Sequence, residues 1–209
     1  MKYFLCVLAF FMVLFSYADN YGTVLMNHSS QPIQVSCGQG TDIATVLPHD
    51  NDYNCPNNMN HPAFKNVGNA PVLYVCVYKF GISSFIVQPN EIATCNNQFI
   101  IDAFINDINV NIGSIVIKDQ FQVKCGNEPT QNVGWNNPIN CSGLSQDIVI
   151  SNNTNNDYNI FCFFGTSLNL TLINFNNHSS VTCGPNNYIE LIVPKNYDVS
   201  QILHLMNQK

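Results

Sequence analysis

The cysteines are the residues of this 209-residue chain whose type and spacing say most about its chemistry. Apart from Cys6 near the N-terminus, the chain has eight cysteines, which are Cys37, Cys55, Cys76, Cys95, Cys125, Cys141, Cys162 and Cys183. Thiols can bind a metal or act as nucleophiles, but the chain has no Cys-x-x-Cys pair of the kind that structural zinc sites use. We therefore expect all eight to form structural disulfides, with no metal bound and no nucleophilic thiol.

An internal repeat divides these eight cysteines into two sets of four. Matching the sets in order gives sequence offsets of 88, 86, 86 and 88 residues, the first being 125 − 37. The flanking residues agree, because Gln-Val-Ser-Cys-Gly at 34–38 lies over Gln-Val-Lys-Cys-Gly at 122–126. This pattern predicts two copies of one small domain, at 19–109 and 110–209.

Each copy is expected to hold two disulfides, because each carries a full set of four cysteines. Four cysteines allow three pairings, and the sequence leaves all three open. We favour joining the first cysteine of each set to the second and the third to the fourth, since each bridge then staples neighbouring elements. Loops of this length are worth about 3 kcal/mol each in the chain-entropy model.

The N-terminus has the parts of a secretory signal peptide, which we place at residues 1–18. Lys2 supplies a positive charge, residues 3–15 form an apolar run, and Ser16 and Ala18 are small residues before a cleavage site. The run falls short of the ~20 residues that a membrane span needs. We therefore expect a secreted, extracellular protein that does not span a membrane, and cleavage also removes Cys6. The C-terminal residues lack the hydrophobic tail of a lipid-anchor signal.

The charge composition excludes a nucleic-acid partner. The formal net charge is −6, all seven basic residues are Lys, and Arg is absent. The chain therefore lacks the bidentate donor that recognises phosphates and base edges. A hydrophobic fraction of 46% also excludes a disordered polar chain.

Asparagine accounts for 33 of the 209 residues, and five asparagines stand in Asn-x-Ser/Thr sequons. These N-glycosylation candidates are Asn27, Asn140, Asn152, Asn169 and Asn177. Three of them lie in polar loops, Asn169 lies on the outward face of an alternating strand, and Asn140 directly precedes Cys141. We expect three or more to carry a glycan, which would make the protein a glycoprotein.

No residue pattern in the sequence points to catalysis. The five histidines form no pair four residues apart, the Gly-x-Ser-x-Gly elbow is absent, and the calcium-like stretch at 50–54 is not followed by the required Gly and Glu. We expect no cofactor and no enzymatic activity, with a secreted hydrolase as the remote alternative.

Carbohydrate binding is the stronger alternative. Secreted β-sandwiches often bind sugars through exposed aromatic rings flanked by hydrogen-bonding amides. Trp135, the only Trp in the chain, is followed by Asn136 and Asn137, and Tyr53 lies in the corresponding region of the first copy. The competing interpretation is that Trp135 caps the core of the second copy.

Hydrophobic periodicity predicts strands in both copies. Leu168, Leu170 and Leu172 alternate with polar residues, and the runs at 73–80 and 160–164 are β-branched and aromatic. Clusters of Asn, Gly and Pro separate these runs, and only 198–206 hints at a helix. We predict an all-β protein of two tandem duplicated small antiparallel β-sandwich or barrel domains. Because Trp135 is the only Trp, the two copies do not share the immunoglobulin hallmark of a Trp between paired cysteines, and we do not predict true immunoglobulin domains.

The apolar N-terminus, the Asn-rich loops, the absence of Arg and the two Gln-Val-x-Cys-Gly elements resemble a family of small secreted proteins of social amoebae, the counting-factor-associated proteins. The resemblance extends over the whole mature chain. It implies an extracellular role near the complex that senses cell number and limits group size, and it brings no catalytic residues. We therefore expect a non-enzymatic factor that binds an extracellular protein partner or complex, with glycans as the alternative ligands.

Overall fold

A computed structural model describes residues 24–37, 43–49, 51–54, 62–95, 100–108, 112–137, 139, 141, 147–164, 170–184 and 187–206. Strands predominate in these residues, which confirms the all-β prediction. The signal peptide at 1–18 lies outside them, as do Cys55, Asn140 and Asn169.

The first half of the chain (19–109) contributes strands to two sheets. Their bounds are β1 Val24–Asn27, β2 Ile33–Cys37, β3 Ile43–Val46, β4 Asn51–Asn54, β5 Pro62–Asn66, β6 Val72–Tyr78, β7 Gly81–Val87, β8 Ile92–Thr94 and β9 Ile100–Asp107. The first outer sheet has the order β3-β2-β5-β8. The first inner sheet has the order β10-β7-β6-β9-β1-β4, where β10 (Ile115–Val116) comes from the second half of the chain.

The second half (110–209) forms two further sheets. Its other strands are β11 Phe121–Cys125, β12 Gln131–Val133, β13 Ile148–Ser151, β14 Tyr158–Phe164, β15 Leu170–Phe175, β16 Ser180–Cys183 and β17 Asn187–Pro194. The second outer sheet has the order β12-β11-β13-β16, and the second inner sheet has the order β15-β14-β17. Counted along each half, β11, β12, β13 and β16 take the places of β2, β3, β5 and β8. In the same way β15, β14 and β17 take the places of β7, β6 and β9.

The four sheets stack as layers with a hydrophobic core between each neighbouring pair. The first sandwich core, which includes Ile33 and Tyr74, lies between the first outer and first inner sheets. The second sandwich core, which includes Phe121 and Ile160, lies between the corresponding sheets of the second half. A central core lies where the two inner sheets face each other, and it includes Phe161. The two halves are therefore joined by a continuous apolar interface.

Strand β6 is buried along its whole length because its alternate side chains face two different cores. Tyr74 and Cys76 face the first sandwich core, whereas Val75 and Val77 face the central core. A strand that is covered on both faces has a continuous apolar sequence instead of an alternating one. The uninterrupted apolar sequence of β6 (Val72–Tyr78) reflects this double burial.

Two strand pairings differ from the expected antiparallel domains. Strand β1 pairs with β9 in parallel, which is possible because seven strands separate them and no hairpin sets their direction. Strand β10 leaves its own half and pairs with β7, where Val116 lies opposite Gly81. A Cβ atom at Gly81 would lie 2.4 Å from the Ile115 carbonyl oxygen, so this close crossing requires glycine.

Three disulfides staple the described chain. They are Cys76–Cys95, Cys125–Cys141 and Cys162–Cys183, with sequence separations of 19, 16 and 21 residues. All three are pairings that the sequence argument favours. The first and third each connect an inner sheet to the outer sheet across a sandwich core. The side chain of Cys37 and all of Cys55 lie outside the described residues.

A short helix, α1 (Ser200–Met206), closes the described chain. The Asp198 carboxylate accepts hydrogen bonds from the N–H and the hydroxyl of Ser200, which satisfies donors at the helix N-terminus. Ile202 lies in the central core, with Leu203 packed against it. The helix thereby covers part of the interface between the two inner sheets.

Candidate functional site

Buried asparagines shape three tight turns between strands, and the turn at Asn66 illustrates the geometry. Asn66 ends β5, and its side-chain Oδ1 accepts a hydrogen bond of 3.0 Å from the Gly68 N–H. Its Nδ2 donates to the carbonyl oxygens of Ala70 at 2.8 Å and Val87 at 3.2 Å. The residue is fully buried, so these bonds replace the water that its amide would otherwise need.

Asn27 ends β1 and forms the same kind of turn. Its Oδ1 accepts hydrogen bonds from the N–H of Ser29 at 3.2 Å and from the Ser29 hydroxyl at 2.7 Å. Its Nδ2 donates to the carbonyl oxygens of Gln31 at 2.8 Å and Leu47 at 3.0 Å. Asn27 is also fully buried.

Asn152 repeats this geometry directly after β13. Its Oδ1 accepts hydrogen bonds from the N–H of Thr154 at 3.0 Å and the Thr154 hydroxyl at 2.8 Å. Its Nδ2 donates to the carbonyl oxygens of Asn156 at 2.8 Å and Asn176 at 3.1 Å. The three asparagine turns share one spacing. Oδ1 accepts a hydrogen bond from the residue two positions later in the sequence, and Nδ2 donates to the carbonyl of the residue four positions later. The next strand begins six positions after the asparagine.

Asn27 and Asn152, which the sequence places in polar loops as glycosylation candidates, are both fully buried in the structure. An N-linked sugar is attached to Nδ2, and Nδ2 is buried in both residues, donating to two carbonyl oxygens in Asn27 and to three in Asn152. A glycan on either residue would displace those bonds and force a polar chain into the interior. The hydroxyl of each sequon is also engaged, since it donates to Oδ1 of its own asparagine. In the folded protein, both sequons therefore use the Asn amide and the Ser or Thr hydroxyl in hydrogen bonds within their turns.

Asn177 is the sequon asparagine that the structure exposes. It lies in the turn between β15 and β16, and its backbone N–H donates to the Asp157 carboxylate at 2.8 Å. Its side chain faces solvent, so a sugar there would meet no obstacle from the fold. Asn140 and Asn169 lie outside the described residues. Asn177 is therefore the described candidate for glycosylation.

Trp135 lies at the junction of the two halves. Its indole is partly buried and packs against both sandwich cores. The ring meets Tyr78 of the first half edge-to-face, with centroids 5.1 Å apart, and its Cζ3 would lie 3.0 Å from a Cβ at Gly81. Most of its contact area is used within the protein, so Trp135 joins the halves in addition to covering the second core. Tyr53, on the edge strand β4, is partly buried against the first sandwich core.

The turn between β6 and β7 inserts into the second half. Phe80 is buried in the second sandwich core and stacks on Phe121, with ring centroids 5.9 Å apart. The backbone of this turn is also held, because the Ile192 N–H donates to the Lys79 carbonyl at 2.7 Å. Lys79 Nζ donates to the Ile189 carbonyl at 3.1 Å. The first half therefore supplies part of the core of the second.

A polar cluster connects Asp119 to the second inner sheet. The Asp119 carboxylate accepts hydrogen bonds from the Tyr158 hydroxyl and from Asn156 Nδ2. These two bonds hold the pKa of Asp119 below its ordinary value, with the Tyr158 bond the larger cause. Burial, and then the same bond to Asp119, raise the pKa of Tyr158 to about 12. The cluster stabilises one protonation state on each partner, a charged carboxylate and a neutral phenol.

The described ranges contain neither a metal-type cluster of side chains nor a membrane-spanning helix. No three His, Cys, Asp or Glu side chains converge there in a way that would hold a metal ion. Among the same residues, no helix has the length and apolar character needed to cross a membrane.

The spacing of Asn and Pro in the sequence marks two of the asparagine turns, although the high overall Asn content does not reveal them. Pro32 and Pro71 stand five residues after Asn27 and Asn66, and each directly precedes a strand. An Asn followed after five residues by Pro and then by an apolar run therefore marks such a turn. The third turn has Asp157 in place of proline, so this signal finds two of the three.

No known family model and no curated protein matches the chain.

Proposed function

We propose that the chain is a secreted, disulfide-stapled, non-enzymatic protein that acts by binding an extracellular partner. The observation that carries the proposal is the set of three disulfides in the described chain, since such bonds persist in oxidising compartments. The apolar N-terminal segment at 1–18 supports the same compartment as a signal peptide. Edman sequencing of the secreted protein should start at Asp19.

The two halves are, on this proposal, a tandem duplication with two disulfides in each. The support is the correspondence of strand order between the outer sheets, together with the equivalent bridges Cys76–Cys95 and Cys162–Cys183. By the same equivalence, Cys125–Cys141 implies a fourth bridge between Cys37 and Cys55. Peptide mapping without reduction would detect it. A free thiol at Cys37 in the native protein would count against the duplication of the disulfide set.

The partner is proposed to be an extracellular protein complex of the counting-factor type. The support is the resemblance carried by the two Gln-Val-x-Cys-Gly elements, whose Gln, Val and Cys residues lie in the equivalent strands β2 and β11. Size-exclusion chromatography of native conditioned medium tests this. We expect the chain to elute with other secreted proteins, well above the mass of its own monomer or dimer. Elution only as a monomer or dimer would contradict the proposal.

A lectin-like role through Trp135 is the second candidate. The observation in its favour is the pair of exposed amides, Asn136 and Asn137, that follow the indole. Against it stands the packing of the ring on Tyr78, which leaves less of the face for a sugar. A glycan array probed with the wild-type protein tests the lectin role. If the wild type binds no glycan, the lectin role is excluded, and no variant is needed for that conclusion.

A further inference from the structure

Strand β15 (Leu170–Phe175) is one of the two edge strands of the second inner sheet. One of its edges pairs with β14, and within the described chain no strand pairs with the other edge. Thr171, Leu172 and Asn174 are exposed, and Leu172 has 40% of its surface open to solvent. The free edge presents a row of backbone donors and acceptors beside an exposed leucine.

This edge lacks the devices that normally prevent strands from pairing with other chains. Natural edge strands carry a charged residue, a proline or a bulge, or are very short. Strand β15 has the sequence Leu-Thr-Leu-Ile-Asn-Phe, with no charge and no proline, and its register against β14 is unbroken over six residue pairs. Such a strand is a template for a further strand.

The equivalent edge in the first half is covered over its first two residues, Gly81 and Ile82. Strand β7 takes the place of β15 there, and β10 pairs with it in antiparallel register, Ile115 opposite Ile82. The contact continues beyond the paired residues, because the Ser84 N–H donates to the Ser114 hydroxyl at 2.7 Å. In the first half, an antiparallel strand without charges, formed by the β-branched residues of β10, therefore pairs with the edge that is free in β15.

We propose that the free edge of β15 pairs with β15 of a second copy of this chain, antiparallel and about a two-fold axis. An isologous contact satisfies both free edges at once, whereas any head-to-tail arrangement leaves one edge open and continues to grow. The two three-stranded sheets would then form one six-stranded sheet, the same size as the first inner sheet. Leu172 of each copy would be covered near the axis.

The test is analytical ultracentrifugation of the secreted, glycosylated protein over about a hundredfold range of concentration. We expect the average mass of the wild type to rise towards that of a dimer. Leu172→Lys should remain monomeric, because it brings like charges together across the axis. Thr182→Lys, an exposed change on β16 of the second outer sheet, should dimerise like the wild type.

A wild type that stays monomeric, or a Leu172→Lys variant that dimerises equally well, would overturn the proposal. So would dimers that appear only after enzymatic removal of the glycans, since sugars would then shield the edge. Hydrogen exchange of the wild type provides a test without a variant. The amides of β15 should exchange more slowly at high than at low protein concentration, and unchanged rates would also overturn the proposal.

Discussion

The Trp135 ring of the second half meets the Tyr78 ring of the first half edge-to-face, with the ring centroids 5.1 Å apart. Because Trp135 is the only Trp in the chain, its fluorescence reports this contact directly. Tyr78 is buried, so Tyr78→Ala should leave a cavity beside the indole and lower the free energy of unfolding by about 3 kcal/mol.

The measurement is chemical denaturation followed by Trp emission. In Tyr78→Ala, the native emission maximum should move to longer wavelength as water reaches the ring. Leu47→Ala is the matched control, since Leu47 is 60% exposed and its removal should change stability by less than about 0.5 kcal/mol. Identical spectra and midpoints for the two variants would show that the Trp135–Tyr78 contact does not join the halves.

The asparagine turns predict a large difference between two adjacent residues. Asn152→Ala removes the hydrogen-bond partner of three carbonyl oxygens and of the Thr154 N–H, at a cost of about 3 kcal/mol. Asn153→Ala changes an exposed side chain in the same turn and should cost less than about 0.5 kcal/mol. Thermal unfolding of both variants by circular dichroism measures the difference. Equal midpoints would mean that the Asn152 amide does not support the turn.

Glycan mapping of the native protein tests the same geometry. Enzymatic release of N-glycans in heavy-oxygen water labels each former glycosylation site, and mass spectrometry locates the label. We expect label on Asn177, which is exposed, and none on Asn27 or Asn152, whose Nδ2 atoms are buried and bonded. Labelled Asn27 or Asn152 in folded protein with its disulfides intact would contradict the turn geometry.

The Asp119–Tyr158 pair predicts how stability depends on pH. The folded protein raises the pKa of Tyr158 from 10.0 to about 12, so the neutral phenol is favoured by folding. This contribution is complete below pH 10 and is lost as the pH rises through about 12. The lowered pKa of Asp119 has the opposite sign, so its contribution is complete above its ordinary pKa of 3.8 and is lost as the pH falls.

The variant Tyr158→Phe separates these contributions. It removes the hydrogen bond that lowers the pKa of Asp119 most. The pKa of Asp119 should therefore rise towards its ordinary value, while the bond from Asn156 still holds it partly down. Carboxyl chemical shifts followed through an NMR pH titration measure this. An Asp119 pKa that is unchanged in Tyr158→Phe would mean that the hydroxyl does not bond to the carboxylate in solution.

Strand content is predictable from the sequence because β-branched and aromatic runs between Asn, Gly and Pro clusters leave few alternatives. The continuous apolar run of β6 also implies cover on both faces. What covers the second face is not predictable, because Val75 and Val77 meet the other half only through contacts between residues far apart in the chain. The pairing of β10 with β7 cannot be predicted from the sequence for the same reason.

The candidate modification sites are predictable only as a set. A sequon is a three-residue pattern, and it does not distinguish the buried Asn27 from the exposed Asn177. The distinction depends on Leu47, twenty residues away, whose carbonyl accepts a bond from Asn27. Similarly, the sequence identifies Trp135 as unusual, but its neighbour Tyr78 belongs to the other half of the chain.

The central claim, binding to an extracellular protein partner, is tested most directly by affinity capture. The tagged protein is recovered from conditioned medium under native conditions, and quantitative mass spectrometry compares the recovered proteins with those captured by the same tag on an unrelated secreted protein. The account predicts at least one other secreted protein in near-stoichiometric amount with the chain. Recovery of the chain alone, as monomer or dimer, would contradict it.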